Sequence, residues 1–433
     1  MRRLDLALVL TLTACTIPDA VPGEPDGAPS STGTGGAGGS QQEGGAAGTG
    51  GDASSSRSAG GTGSGGADCA AAQVSARTDH TCAMSVEGRV WCWGKNESGE
   101  VGDGSTTSPQ KNPREVDLGG SALAVAAGGR HSCALAAESV LCWGAADFGQ
   151  IGDGSVDVAP LPSPTQVNLE GAIPVELALG ADHGCARTQS NTLLCWGRND
   201  DGQIGDGSMT TPQPLPVPVT ALGAGVAQVS AGQAHTCAVL EDKSVWCWGR
   251  NSDGQLGVGL ATIESATPLQ VTALGNDVQS VAAGGYHTCA VKTDGTLWCW
   301  GKNTSGQLGT GDTVGPQPAP VKVTDFQNTV DAVFGGSLNT CARKTDGSLW
   351  CFGHNVYGQV GDGTSGIENS PKAKAVEVSA LGMSVQQAST GYHTCAVRSG
   401  GDLFCWGNNE HGELGDGSTD AEPEPLEITL PCR

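Results

Sequence analysis

Basic residues are scarce in this chain of 433 residues, and long apolar segments are missing. Lys and Arg number 22 against 45 Asp and Glu, which gives a formal net charge of −23. Because nucleic-acid backbones are bound by clustered Lys and Arg, this charge argues against a nucleic-acid partner. The apolar run at residues 6–12 is too short to span a bilayer. No two cysteines have the C-x₂-C spacing, which argues against a zinc site.

The N-terminus has the features of an export signal. Arg2 and Arg3 precede the apolar run, which ends in Leu12-Thr13-Ala14-Cys15. This tetrapeptide resembles the lipobox of bacterial lipoproteins, which implies that residues 1–14 are a removed signal peptide and that Cys15 carries lipid. The alternative is an ordinary secretory signal cleaved nearby.

The position of the protein in the cell follows from the same residues. Acyl chains on Cys15 would anchor the protein without a transmembrane helix, so that the lipid is its only membrane contact. Thr16 follows Cys15, where an Asp would be expected for inner-membrane retention. We therefore expect an exported protein, lipid-anchored to the cell envelope at the outer membrane.

Residues 15–67 carry the expected lipid site and then a linker rich in Gly, Ser, Ala, Thr and Pro. So few apolar side chains cannot offset the ordering entropy, and we predict a disordered tether. A chain of this type has a root-mean-square reach of roughly 40 Å. Residues 68–433 are long enough for one large folded domain.

Cysteine is abundant in that domain and follows a regular period. Seven pairs about ten residues apart recur every 51 to 54 residues; their first members are Cys82, Cys133, Cys185, Cys237, Cys289, Cys341 and Cys395. A fixed period near fifty indicates a repeat architecture. Each repeat contains about four short strand-like segments and no convincing helix. The fold predicted is an all-β, seven-bladed β-propeller.

The spacing within each pair predicts a disulfide across a hairpin. In Cys289–Cys299 an odd loop, 293–295, places the cysteines opposite each other and ends in a glycine that tolerates positive φ. In the second copy the pair is nine residues apart, which predicts a two-residue loop, Ala137-Glu138, that keeps the cysteines opposed. The fourth hairpin has Lys243 at the strained position.

Seven intra-hairpin disulfides are therefore expected, worth roughly 2–3 kcal/mol each in the chain-entropy model. The predicted hairpin pairs are Cys82 with Cys92, Cys133 with Cys142, Cys185 with Cys195, Cys237 with Cys247, Cys289 with Cys299, Cys341 with Cys351, and Cys395 with Cys405. Cys69 and Cys432 remain at the two ends of the array. We predict that this eighth pair closes the ring.

Three patterns imitate ligand sites and have simpler structural explanations. A histidine stands two residues before most first cysteines, as His287 does, but copy six has Asn339 there, which favours a structural role over metal binding. The glycine-rich run after each second cysteine lacks the Lys of a P-loop. The recurring Gly-Asp-Gly lacks the ligand spacing of a calcium loop. We expect no metal and no cofactor.

The repeats resemble those of the regulator-of-chromosome-condensation family. The matching motif is G-x-x-H-T-C-A-V … G-x-L-W-C-W-G-x-N-x-x-G-Q-L-G, which residues 284–309 follow closely. The resemblance extends from residue 70 to about residue 430 and implies a seven-bladed propeller of four-stranded blades. The family includes a guanine-nucleotide exchange factor that binds chromatin and an inhibitor that covers an enzyme with one propeller face. The hairpin cysteines depart from the eukaryotic archetype.

Variation among the repeats indicates where a partner could bind. The position before the histidine changes chemistry from blade to blade: Asp79, Arg130, Asp182, Ala234, Tyr286, Leu338 and Tyr392. A symmetric ring would place these side chains on one face, and we take Asp79, Arg130, Asp182, Tyr286 and Tyr392 as candidate partner-binding residues. Neutral surface drift is the alternative.

The function predicted is that of a non-catalytic, monomeric propeller that binds a protein or another extracellular ligand through one face. The polar residues recur in nearly every blade, as structural residues do, so we expect no catalytic residues. The alternative is a secreted enzyme or enzyme inhibitor that uses the channel or a face. Guanine-nucleotide exchange is a more distant third hypothesis.

Overall fold

The computed structural model describes residues 69–432. The predictions about the signal peptide, Cys15 and the linker 15–67 lie outside the described residues. Within residues 69–432 the chain forms twenty-eight strands and five short 3-10 helices.

The strands form seven consecutive groups of four. The first three blades contain β1 (Ala71–Ala76), β2 (His80–Ser85), β3 (Val90–Gly94), β4 (Gln110–Val116), β5 (Ala124–Ala127), β6 (His131–Leu135), β7 (Val140–Gly144), β8 (Leu161–Gln166), β9 (Pro174–Leu179), β10 (His183–Thr188), β11 (Leu193–Gly197) and β12 (Gln213–Pro218). The next two contain β13 (Val226–Ala231), β14 (His235–Leu240), β15 (Val245–Arg250), β16 (Glu264–Gln270), β17 (Val278–Ala283), β18 (His287–Lys292), β19 (Leu297–Gly301) and β20 (Gln317–Val323). The last two contain β21 (Val330–Gly335), β22 (Asn339–Lys344), β23 (Leu349–Gly353), β24 (Lys372–Glu377), β25 (Val385–Thr390), β26 (His393–Arg398), β27 (Leu403–Gly407) and β28 (Glu422–Ile428). The 3-10 helices are Thr220–Leu222, Thr272–Leu274, Thr324–Phe326, Ile367–Asn369 and Ser379–Leu381.

Each group of four forms one antiparallel sheet in sequence order, from the inner strand to the outer strand. The predicted seven-bladed, all-β propeller is confirmed. Because every blade is contiguous in sequence, no strand from one chain end completes a blade at the other end. Closure of the ring therefore depends on contacts between blades one and seven.

The hairpin disulfides follow from the strand register. In all seven blades the two cysteines lie directly opposite each other, as Cys289 and Cys299 do. Their Cα atoms are 4.1 Å apart, and all fourteen side chains are fully buried. The prediction of one disulfide in each hairpin is confirmed.

The shortened second hairpin keeps this register. Leu135 pairs with Val140, and the Ala136 N–H donates to the Ser139 carbonyl, so that Ala137 and Glu138 form the two-residue loop. Deleting one loop residue therefore changes the turn and leaves the cysteines opposed.

The loops of the longer hairpins end in a left-handed residue. This residue is usually glycine, as in Gly295 with φ of +77°, but it is Asn191 with φ of +58° in blade three and Lys243 with φ of +68° in blade four. An L-residue other than Asn or Asp is strained in this region, by about 1–2 kcal/mol.

Replacement of Lys243 by glycine is expected to raise the free energy of unfolding by about 0.5–1 kcal/mol. The strain at φ of +68° is removed, although the greater freedom of glycine in the unfolded chain offsets part of the gain. Urea unfolding midpoints measure the change. The matched control is Gly295→Ala, which should destabilise because its Cβ would collide with the Asn328 carbonyl oxygen. A lower midpoint for Lys243→Gly would contradict the expectation.

The hydrophobic core lies between neighbouring blades. Each cluster joins the cysteines of one blade to the large aromatic ring that follows the second cysteine of the next, as Cys289 and Cys299 contact the cluster around Phe352. The apolar residue of the glycine-rich turn fills each cluster and is fully buried; these residues are Val101, Ile151, Ile204, Leu256, Leu308, Val360 and Leu414.

The interface between blades seven and one repeats the other interfaces and adds a covalent bond. Trp93 of blade one donates from Nε1 to the Glu413 carbonyl of blade seven at 2.7 Å, as Trp300 of blade five donates to Gln255 of blade four at 2.9 Å. The structure also joins Cys69 to Cys432, with Cα atoms 5.4 Å apart. The ring is thus closed by ordinary blade packing and by one disulfide.

Candidate functional site

One end of the propeller carries the variable position before each histidine. We call this end, where the second strand of every blade begins, the histidine face. The seven backbone carbonyls at this position each accept a hydrogen bond from the residue that follows the third-strand glycine, at 2.8–3.2 Å. The seven accepting residues are Asp79, Arg130, Asp182, Ala234, Tyr286, Leu338 and Tyr392. The side chains of the histidine face therefore project from a backbone of fixed conformation.

Three of the predicted partner-binding residues form ion pairs. Arg130 spans two blades, with Nη2 2.9 Å from Asp182 and 3.0 Å from Asp147. Asp79 is 3.7 Å from Lys95 of its own blade. Arg130 and Asp182 therefore contribute to the contact between blades two and three as well as to the surface.

The two predicted tyrosines are half-buried on the same face. The Lys302 Nζ lies 4.9 Å from the centre of the Tyr286 ring, in a cation–π contact. Tyr392 holds the equivalent position two blades later. Large rings with restrained backbones lose little conformational entropy on binding, which is the property of interface anchors.

Sequence reasoning missed two further rings of residues on this face. One is the residue after each third-strand glycine, which includes Lys95, Arg198, Arg250, Lys302 and His354. The other is the residue before the glycine of the following turn, which includes Phe148, Tyr357 and His411; the backbone N–H of each is held by the nearby Gln or Glu side chain. The signal was available, because both positions vary among near-identical neighbours.

The histidines lie beneath this face, fully buried, and hold neighbouring blades together. His235 Nε2 lies 3.0 Å from Thr288 Oγ1 of the next blade, and Thr288 donates back to the Gln255 carbonyl at 2.8 Å. Because the threonine hydrogen is used in that bond, the histidine Nε2 carries the donated proton. The Trp300 Nε1 donates to the same Gln255 carbonyl. We call these three bonds together the clasp.

The clasp recurs around the ring with local changes. The histidine contacts are His80 with Ser132, His183 with Thr236, His235 with Thr288, His287 with Thr340, and His393 with Thr81. In blade six Asn339 donates instead to Thr390 of blade seven, whose hydroxyl contacts that of the clasp threonine Thr394. His131 has no such partner because blade three has Gly184, where a Cβ would collide with the Trp196 ring.

Burial determines the protonation state of the six buried histidines. It lowers the pKa of five histidines to about 3, namely His80, His131, His183, His235 and His393, and that of His287 to about 4. Their Nδ1 atoms are buried without a hydrogen-bond partner, so a second proton would have no acceptor. Residues 69–432 contain no group of three or more His, Cys, Asp or Glu side chains arranged to hold a metal.

Two buried glutamates replace the glutamine of the turn. Burial raises the pKa of Glu100 and of Glu413 to about 7. In both, one carboxyl oxygen accepts from the backbone N–H two residues earlier, as the glutamine oxygen does in other blades. Asp79 lies near both and adds to the shift. A protonated glutamate is a close substitute for glutamine at this position.

The recurring Gly-Asp-Gly is a turn. Asp206 accepts from the backbone N–H and the hydroxyl of Ser208, at 2.9 and 3.0 Å, and the same bonds form around Asp103, Asp153, Asp362 and Asp416. These oxygens are engaged locally, as the turn interpretation requires.

A channel runs along the propeller axis between the inner strands. Its cavity has a volume of about 360 Å³. Side chains of one blade satisfy the free edge of the next: Gln73 accepts from the Val125 N–H at 2.9 Å, and Ser75 from the Ala127 N–H at 2.9 Å. Gln387 and Ser389 do the same for blade one, at 3.0 and 2.9 Å. The backbone edges of the channel wall are therefore hydrogen-bonded at these points.

Comparison with known proteins identifies the family. The profile described as the RCC1-like domain matches residues 124–433, and profiles of the regulator of chromosome condensation (RCC1) repeat match residues 87–135 and 72–100. The chain belongs to the RCC1-like family. This RCC1-like chain is 36% identical over 326 residues to the ultraviolet-B receptor UVR8 of Arabidopsis thaliana, across 74% of its length and 71% of the relative. It is 30% identical over 263 residues to the mitochondrial RCC1 domain-containing protein RUG3 of the same plant, across 59% and 58% of the two chains.

Solved structures show the same fold. Yeast RCC1 (Prp20), in its complex with Kap60, superposes with a TM-score of 0.71 at 21% identity, over 80% of this chain and 85% of that one. Human WBSCR16 superposes with a TM-score of 0.70 at 21% identity, over 79% and 94%. In the described residues of the RCC1-like chain, no helix is long and apolar enough to cross a membrane.

Proposed function

We propose that this RCC1-like chain is a non-catalytic binding protein whose histidine face holds another protein. The observation that carries the proposal is the concentration of anchoring side chains. All three tyrosines of the chain, Tyr286, Tyr357 and Tyr392, lie on this face, together with Phe148. Aromatic and arginine side chains dominate the binding energy of protein interfaces.

Charge on the same face supports a protein partner. Five basic residues of an otherwise acidic chain lie there: Lys95, Arg130, Arg198, Arg250 and Lys302. Arg198 stacks 4.8 Å from the Phe148 ring, and Arg130 lies 5.6 Å from it. Mixed aromatic and charged groups on a rigid backbone suit recognition of a protein surface.

The relatives support the class of function and name no partner for this chain. Yeast Prp20 is described in complex with Kap60, and its binding to Gsp1p and to histones has been characterised. The proposal includes anchoring of the protein to the cell envelope through lipid on Cys15, which the tetrapeptide at residues 12–15 supports. Most of the buried histidines of residues 69–432 belong to the repeated clasp, which is a structural role and favours binding over catalysis.

Photo-crosslinking in the producing cells tests the face. A benzophenone amino acid at Tyr286 or at Tyr392 is expected to give the same covalent protein adduct. The matched controls are Val86, which is 62% exposed in a hairpin loop, and Met383, which is 69% exposed beside another. Both loops lie at the opposite end of the propeller. Adducts from the controls alone, or different adducts from every site, would contradict binding by the histidine face.

A further inference from the structure

The cavity of the central channel is lined by one charged side chain. Of the residues that line its cavity, Arg77 alone is charged, in a protein whose formal net charge is −23. Arg77 stands at the step between the first and second strands of blade one, where its N–H donates to the His80 carbonyl. The six residues that make the same backbone bond in the other blades are all glycine: Gly128, Gly180, Gly232, Gly284, Gly336 and Gly391. Blade one thus places a long cation where the fold itself requires no side chain.

The arginine side chain crosses the channel. Its Nη1 donates to the Ala231 carbonyl at 3.2 Å. Ala231 belongs to blade four, three blades further round the ring from blade one. The bond to Ala231 is the one hydrogen bond that the guanidinium makes with residues 69–432. A guanidinium carries five N–H groups, so most of its donor capacity is left for other acceptors.

No anionic side chain neutralises this cation. None of the ion pairs within residues 69–432 includes Arg77. Burial without a counter-charge lowers the pKa of Arg77 to about 10. A half-buried cation without a counter-charge is costly, and a bound anion would remove that cost.

The walls near the guanidinium can complete an anion site. Ser75 and Ser230 line the same cavity, and each oxygen accepts a backbone N–H from the next blade, at 2.9 Å in both. Because each oxygen is the acceptor in that bond, its own hydrogen is available to donate. A cavity of about 360 Å³ is large enough for a small organic acid and too small for a folded segment.

We propose that the central channel is a binding site for a carboxylate group, held by the guanidinium of Arg77 at the end of the channel nearest the histidine face. The planar guanidinium matches the two oxygens of a carboxylate. The carboxylate belongs to a free small organic acid or to an acidic side chain that a partner inserts into the channel. A site for a free organic acid is independent of the protein-binding proposal. A site for a partner's acidic side chain rests on that proposal and extends it.

Thermal unfolding of the full chain tests the site. Sodium succinate, titrated against sodium chloride at constant ionic strength and pH 7.5, is expected to raise the unfolding midpoint of the wild type in a saturable way. The matched variant is Arg77→Gly, which installs the residue of the other six blades; its apparent affinity for succinate should fall at least tenfold. Arg77→Met keeps the apolar stem and tests the charge if the glycine variant folds poorly.

The alternatives have distinct outcomes. A short acidic peptide that stabilises the wild type, where succinate does not, assigns the carboxylate to a partner's side chain. Equal responses of wild type and both variants would overturn the site. No response of the wild type to succinate or peptide, or a saturable response to inorganic phosphate alone, would also overturn it.

Discussion

Acidification from neutral pH to about pH 4.5 is expected to unfold the propeller, because six buried histidines remain neutral in the fold. Their pKa values are about 3, and about 4 for His287, against an ordinary value of 6.5. Below pH 6.5 the histidines are therefore protonated in the unfolded chain and remain neutral in the folded chain. The stability is fully present above pH 6.5 and is lost as the pH falls towards the folded values. At pH 4.5 the loss is about 2.7 kcal/mol for each histidine.

Two glutamates act in the opposite direction. The pKa values of Glu100 and Glu413 are raised to about 7, so their folded forms bind protons that the unfolded chain releases above pH 4.5. Their contribution is present at low pH and is lost as the pH rises through 7, about 3 kcal/mol each. Six histidines outweigh two glutamates, and the net loss at pH 4.5 is on the order of 10 kcal/mol, comparable to the whole stability of a typical domain. We therefore expect a stability maximum near neutral pH.

The chain contains its own control for this prediction. In blade six Asn339 takes the place of the histidine, donates to Thr390 of blade seven and cannot be protonated. His235→Asn and His287→Asn should each remove about one proton from the uptake on unfolding and improve survival at pH 5. Denaturant unfolding between pH 4 and 8 gives the proton uptake from the slope of stability against pH. If the variant with both substitutions kept the wild-type slope of stability against pH, the assignment of acid lability to the buried histidines would be contradicted.

Mild reduction is expected to open the Cys69–Cys432 bond before any other. Cys432 is partly exposed and Cys69 is 8% exposed, whereas all fourteen hairpin cysteines are fully buried. The bond closes a loop across 363 residues, so its loss would cost about 5–6 kcal/mol in the chain-entropy model, an upper value. Alkylation followed by mass spectrometry of the peptides identifies the first thiols released.

The double variant Cys69→Ala/Cys432→Ala measures the same bond without reductant. Its unfolding midpoint should fall further than that of Cys289→Ser/Cys299→Ser, whose disulfide closes ten residues and is worth about 2–3 kcal/mol in the same model. The loss should appear as separation of blades one and seven, seen as faster hydrogen exchange at Val74 and Ala76, whose N–H groups donate to blade seven. Earlier labelling of hairpin cysteines would contradict the order of reduction.

Sequence reasoning succeeded where the information is local. The Cys289 and Cys299 spacing, the loop between them and the nine-residue variant at Cys133 and Cys142 depend on strand register alone, and all were predicted. The strained Lys243 was predicted for the same reason. The face of the variable position was also accessible, because one position in each repeat must lie at one end of a symmetric ring.

Sequence reasoning failed where residues meet only in the folded ring. Arg77 was overlooked, since its significance depends on Ala231, 154 residues later, and on the channel between them. Arg130 was taken for a surface residue alone, although Asp182 in the next blade engages it. The residues after each third-strand glycine, such as Lys302 and Arg198, were missed. They lie on the histidine face because the hairpin brings the end of the third strand beside the start of the second.

The amino-acid sequence by itself determined the blade: its period, its four strands, its buried disulfide and the number of copies. These properties arise from interactions within about fifty residues, which a repeat displays seven times. Only the tertiary structure decided what the blades do together: which carbonyl each clasp engages, how blades one and seven pack against each other, and which charge enters the channel. Those contacts arise where different copies meet, and no single repeat contains both partners.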